Sequence, residues 1–284
     1  MSNASLLQNK FKGNRGKGWH PDTHDKSKDQ NSRALFGAAI RVPAEFSLEQ
    51  YVSQIWDQGQ TSSCVGWAFA QSIKLRLAVA GTSIELPTPE GIYVTARAQE
   101  RALAGLTPDQ SPLQDNGCQP SLAVQGMNLV GVASMTAWPF DPSTINNEPK
   151  FEELEVASAF KLTGYARVNS DGSQRLADIK QAISSGYPVA IGTQVDQAFE
   201  AYNGTGIIQA PNPLQLLGGH MMHLIGYRAD GSFRGVNQWG TSWGDSGFYW
   251  ASSDWVASSY LSDAYILTCT ATGHVGQMVR KAIA

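Results

Sequence analysis

The 284-residue sequence predicts an α+β fold in which a helical lobe faces a strand lobe, and three observations carry that expectation. Helical periodicity is concentrated in the first half of the chain, and short runs of strand type separated by turn residues fill the second. No period of roughly 20 to 50 residues recurs, which argues against a repeat array. The composition fits a packed body, with 42% apolar and 16% charged residues and eight Trp, nine Tyr and ten Phe.

In chain order, residues 1–41 read as a mildly basic N-terminal extension, flexible or hugging the surface. Lys10, Lys12, Arg15, Lys17, Lys26, Lys28 and Arg33 stand there against Asp22, Asp25 and Asp29. Its Gly18-Trp19-His20-Pro21-Asp22 run could dock on a folded body. Globular composition begins at Val42-Pro43. Residues 62–80 read as a buried helix, with Ser62 or Ser63 as N-cap, Phe69, Ile73 and Leu77 at four-residue spacing, and Gly81 as the stop. Further helices are expected over 89–103, 120–129 and 176–184, and strands over 189–195, 220–227, 233–238, 247–251 and 264–270. The division follows as a helical lobe over 42–158 and a strand-rich lobe over 159–284.

Lys plus Arg is 21 against 24 for Asp plus Glu, a balance that leaves no electrostatic footprint for nucleic acid or an anionic membrane. No apolar run approaches the roughly 18 residues of a membrane span, and residues 1–34 hold no signal-peptide-like stretch, so a cytoplasmic location fits best, with leaderless secretion or a trimmed native leader as the alternatives. Three separated cysteines, Cys64, Cys118 and Cys269, give neither a disulfide framework nor a paired metal motif.

Cys64 falls at the first turn of the expected buried helix, where free N–H groups and the macrodipole favour a thiolate. A cysteine nucleophile needs an imidazole to move the proton and a partner to orient that imidazole. His20 and His24 lie in the polar extension and His274 near the C-terminus. His220 and His223 open an apolar strand, and their three-residue offset points them to opposite faces, so spacing alone favours neither.

Three blocks then resemble the papain-like cysteine peptidases in that family's order. They are Gln58-Gly59 six residues before Cys64-Val65-Gly66-Trp67-Ala68-Phe69, Gly219-His220 followed by Gly226-Tyr227, and Asn237-Gln238-Trp239-Gly240-Thr241-Ser242-Trp243-Gly244. The likeness is closest to the family's bacterial-type members and covers roughly residues 42 to 270. It implies a papain-like two-lobe fold, with a β-barrel-like antiparallel second lobe and a cleft between the lobes. It implies Cys64 as nucleophile, Gln58 as oxyanion donor, His220 as proton carrier and Asn237 as its orienting partner, with Trp239 shielding that contact. Thiolate and imidazolium would pair at rest, and the cycle would use no metal or organic cofactor. Gly192 and Met221 match positions lining the pocket for the substrate residue two before the cleaved bond, which suits a medium to large apolar side chain.

Three departures from the family pattern stand out, one being that residues 1–41 are shorter than the inhibitory propeptides usual in the family's secreted members, which with the Trp19-His20-Pro21 island implies a short autoinhibitory or docking segment. Cys118 matches a cysteine that often forms a disulfide, but its usual partner position holds Thr61. Gln119-Pro120-Ser121 replaces a glycine pair that would bind substrate backbone, which leaves Ser121 as the candidate contact there. The expected activity is hydrolysis of peptide bonds in a protein or peptide substrate, most simply as an endopeptidase. The alternatives are acyl transfer or amide hydrolysis by the same triad, or a catalytically silent binding protein of the same fold.

Overall fold

The computed structural model describes residues 15–36, 41–158, 160–162 and 164–269. Its elements, in chain order, are α1 (Ser32–Phe36), β1 (Phe46–Ser47), α2 (Cys64–Val79), α3 (Pro89–Leu103), α4 (Pro120–Leu129), α5 (Phe151–Ala157), β2 (Tyr165–Arg167), α6 (Gly172–Ser184), β3 (Val189–Asp196), α7 (Gln197–Glu200), β4 (Leu216–Tyr227), β5 (Phe233–Val236), β6 (Phe248–Ala251), α8 (Ser253–Ala257) and β7 (Leu261–Leu267).

Helix α2 begins at Cys64 after Ser63, whose carbonyl takes the Trp67 amide at 3.1 Å. Most of the helix is buried all round, as its apolar sequence demands. Gly66 lets α3 close on it, because a Cβ there would lie 2.2 Å from the Pro89 carbonyl oxygen. Proline in the first turn starts both α3 and α4, where a missing N–H costs nothing, and the Thr88 hydroxyl caps α3 by accepting from the Gly91 amide.

The seven strands pair antiparallel in the order β2-β7-β3-β4-β5-β6, with β1 added on β4. The antiparallel lobe is as expected, but the described sheet is open and not closed into a barrel, since β2 and β6 remain its ends. One apolar core packs α2, α3 and α4 together, and a second lies among the sheet, α6 and α8. The sheet sets Met221 of β4 and Asp263 of β7 on either side of Gly192 of β3, which places three side-chain positions from three strands in one row.

The expected strand over 264–270 is displaced toward the N-terminus, spanning Leu261–Leu267, and residue 270 lies outside the described residues. Residues 15–36 lie against both lobes, with Trp19 buried between them.

Candidate active site

Gln58 and Cys64 come from the segment entering α2. The Gln58 backbone N–H donates to the Gln238 carbonyl at 2.9 Å, and its side-chain Nε2 donates to the Thr61 carbonyl at 2.8 Å, so its amide is held on both sides. The Thr61 hydroxyl in turn donates to the Gln58 carbonyl at 2.9 Å. The Asp115 carboxylate ties this segment to the helical lobe, accepting from the Ser62 N–H and from the Tyr93 hydroxyl.

His220 and Asn237 come from the other lobe. His220 Nε2 lies 2.8 Å from Asn237 Oδ1, which also accepts the Gln238 N–H at 2.9 Å. That oxygen is an acceptor, so Nε2 carries the proton and Nδ1 is the ring nitrogen left for chemistry; it has no hydrogen-bond partner among the described residues. Trp239 stacks on the imidazole with centroids 4.6 Å apart and planes at 29°. Cys64 meets the His220 strand through the backbone of Met221.

Burial pushes the Cys64 thiol up to about 11, against the opposing pull of backbone amides at Gly18, Met221, Val65 and Cys64 itself. Burial likewise takes the His220 imidazole down to about 3; Asn237 works against the fall and the Lys17 ammonium adds to it. Burial thus disfavours the charged form of each group, and so opposes the expected thiolate–imidazolium pair while the segment covers them. The cause is loss of water around both groups.

That water is excluded by the N-terminal segment, which threads between the lobes. Its Gly16 carbonyl accepts from Gln58 Nε2 at 3.0 Å. Its Gly18 carbonyl takes the Cys118 N–H at 2.9 Å, its Trp19 N–H donates to the Gly219 carbonyl at 3.2 Å, and its His20 N–H donates to the Cys118 carbonyl at 3.1 Å. Only glycine fits at positions 16 and 18, because a Cβ would stand 1.8 Å from the Thr61 or the Ser62 carbonyl oxygen. The Trp19 indole fills the pocket beside Gly192 and Gly219 and is almost wholly buried. Salt bridges from Arg15 to Asp57 and Lys17 to Glu200 fasten one end, and Asp22 and Lys26 fasten the other to Arg167 and Asp263.

The structure thus links His220 to Asn237 and Trp239 by direct contact, Gln58 to Gln238 and Cys64 to Met221 through the backbone, with Gly192 beside the Trp19 indole and Met221 next in the same row. Ser121 is in contact with the segment, its N–H donating to Asp22 Oδ1 at 2.9 Å. The backbone contact expected after Cys118 is made by Cys118 itself, and the cysteine is a free, buried thiol. Sequence reasoning missed this role, as well as those of Gly16, Gly18 and Asp263; the alternation of glycines before Trp19 was the available signal. His223 faces away and bonds the Ser72 hydroxyl at 2.8 Å, while His20 is exposed and His24 pairs with Asp29. His274 lies outside the described residues.

A profile of the papain family cysteine proteases matches residues 42–268. A peptidase C1-like protein of Acanthamoeba polyphaga mimivirus is 29% identical over 78% of this chain and 71% of its own length. Peptidase 1 of the mite Dermatophagoides farinae is 24% identical over 74% of this chain, and the match spans only 61% of the mite protein. In fold, xylellain, a cysteine protease from Xylella fastidiosa, superposes with a TM-score of 0.73 at 24% identity, covering 90% of this chain and 97% of that one.

Proposed function

The chain belongs to the papain family of cysteine proteases, and from that premise we propose that it hydrolyses peptide bonds with Cys64, His220, Asn237 and Gln58, and that residues 15–36 hold it closed. The observation that carries the reading is the Gly16 carbonyl on Gln58 Nε2 at 3.0 Å, a carbonyl oxygen bound by the very amide proposed to bind an oxyanion.

In the open enzyme, water returns to the cleft and the burial that disfavours both charged forms is relieved, so the proton passes from Sγ to His220 Nδ1. The thiolate attacks the substrate carbonyl carbon, and the electron pair moved onto oxygen is held by Gln58 Nε2 and the Cys64 N–H. Collapse of the intermediate breaks the C–N bond as His220 gives its proton to the leaving amine. Water then attacks the thioester as His220 takes its proton, and collapse breaks the C–S bond, releasing the acid and leaving the thiolate with the imidazolium. Asn237 keeps the imidazole in its plane throughout, and Trp239 covers that contact. The division of labour follows the two lobes, the nucleophile from 42–158 and the proton carrier from 159–284.

The arm is an inhibitor and not a substrate because of its direction. A substrate residue in the Gly192–Met221 pocket would precede the carbonyl at Gln58 along the chain, whereas Trp19 follows Gly16. The test is intact-mass labelling with an irreversible peptidyl epoxide, run beside Cys64→Ala and His220→Ala. One label per chain, absent in Cys64→Ala and strongly slowed in His220→Ala, supports the peptidase reading; labelling spread over Cys118 and Cys269 overturns it.

A further inference from the structure

Building on the peptidase reading, we infer that Asp263 makes the pocket select a side chain tipped with a neutral hydrogen-bond donor, tryptophan above all, at the substrate position two residues before the cleaved bond. Asp263 is fully buried in the same row as Gly192 and Met221. Its Oδ2 accepts from Trp19 Nε1 at 3.0 Å and from the Asp22 N–H at 3.1 Å. Its Oδ1 accepts from Lys26 Nζ at 2.7 Å and from an Arg167 amino group at 2.6 Å.

Three of those four donors belong to the arm and leave with it. Arg167 of β2 stays, so the open pocket holds one carboxylate and one guanidinium with Oδ2 unpartnered. In the closed protein the Asp22 carboxylate offsets the Lys26 ammonium beside Arg167; with both gone the remaining pair is balanced, and a cationic side chain would meet Arg167 without that offset. A neutral N–H restores the lost bond without adding charge. Shape points the same way, since a Cβ on Gly192 would stand 2.1 Å from the indole Nε1 and one on Gly219 2.6 Å from its Cε3. The two glycines leave room for a bicyclic ring. Phenylalanine fits in size but leaves the buried oxygen bare, and a site built around such a bond rejects ligands that cannot make it.

The experiment uses the full chain carrying Gly18→Ala to displace the arm, and fluorogenic dipeptides with Trp, Phe or Arg at that position and a common residue next to the cleaved bond. The expected result is a kcat/KM for Trp roughly 10- to 100-fold above that for Phe, with Arg lower still. Asp263→Asn should reverse the preference, because Arg167 would take the amide oxygen and turn the NH2 toward the indole N–H. A Trp/Phe ratio within threefold in the parent, with Cys64 reacting normally, overturns this inference and leaves the peptidase reading standing. If no peptide is cleaved and no epoxide labels Cys64, both fall together.

Discussion

Gly18→Ala changes one hydrogen to a methyl group outside the proposed catalytic residues, yet it should release the cleft. The new Cβ would lie 1.8 Å from the Ser62 carbonyl oxygen and 2.5 Å from its carbon, where real Cβ atoms essentially never approach below 3.0 Å. Both obstacles are backbone at the start of α2, so the arm must move outward by more than 1 Å. That shift takes the Gly18 carbonyl off the Cys118 N–H and strains the neighbouring bonds of Trp19 and His20. Overpacking of this kind costs about 1 to 3 kcal/mol, which multiplies the open population by roughly 5 to 150. The assay is the second-order rate of Cys64 labelling by a peptidyl epoxide, followed by intact mass at equal protein concentration. The expected result is an increase in that range with the far-ultraviolet dichroism unchanged. A Gly18→Ala rate within twofold of the parent would refute the claim that the arm governs access to Cys64.

Three other outcomes are expected. Gln58→Ala should lower the acylation rate by about 10²- to 10³-fold, the usual effect of losing an oxyanion donor, measured by stopped-flow with an arm-displaced parent. Asn237→Ala should slow turnover while the small-reagent alkylation of Cys64 persists, because Trp239 still stacks on the ring; a pH–rate profile will locate the shifted imidazole. His220 and His223 are held near 3 and 4 in the closed protein against an ordinary 6.5, so the unfolded chain binds protons first. Closed-state stability is therefore full above about pH 6.5 and falls below it, by up to about 1.4 kcal/mol per pH unit for each histidine. Thermal melting from pH 7.5 to 5 will read that slope, and a flat Tm over the interval contradicts it.

The sequence announced its helices where local chemistry fixes their ends. Pro89 after Thr88 and Pro120 after Gln119 mark starts that the structure reproduces residue for residue. The short elements were not legible: β1 and β2 are two and three residues long, and each exists because another strand receives it. Ser63 does stand at the N-cap of α2, but its hydroxyl pairs with Thr61 and makes no cap bond to the helix. At the site, residue identities were readable because chemistry constrains them. Their ionisation was not, since it depends in part on Lys17 and Gly18, which lie some 45 residues and more from Cys64 and are brought to the site only by folding.

The same distance explains how a segment with so little sequence signal can close an active site. Its hold is distributed over backbone bonds that any residue could make, two positions where only glycine fits, one indole and one buried charge cluster. Burying the Trp19 side chain removes on the order of 200 Å² from water, about 5 kcal/mol at the usual coefficient. The charge cluster adds direction more than strength, because pairing Asp22 and Lys26 with Arg167 and Asp263 recovers a desolvation cost that the pairing itself incurs. Trp19→Ala should thus open the cleft more than Asp22→Ala does, because Arg167 keeps its existing pair with Asp263 after the second change. Reversing that order in a labelling assay would mean that the ions, and not the indole, set the closed state.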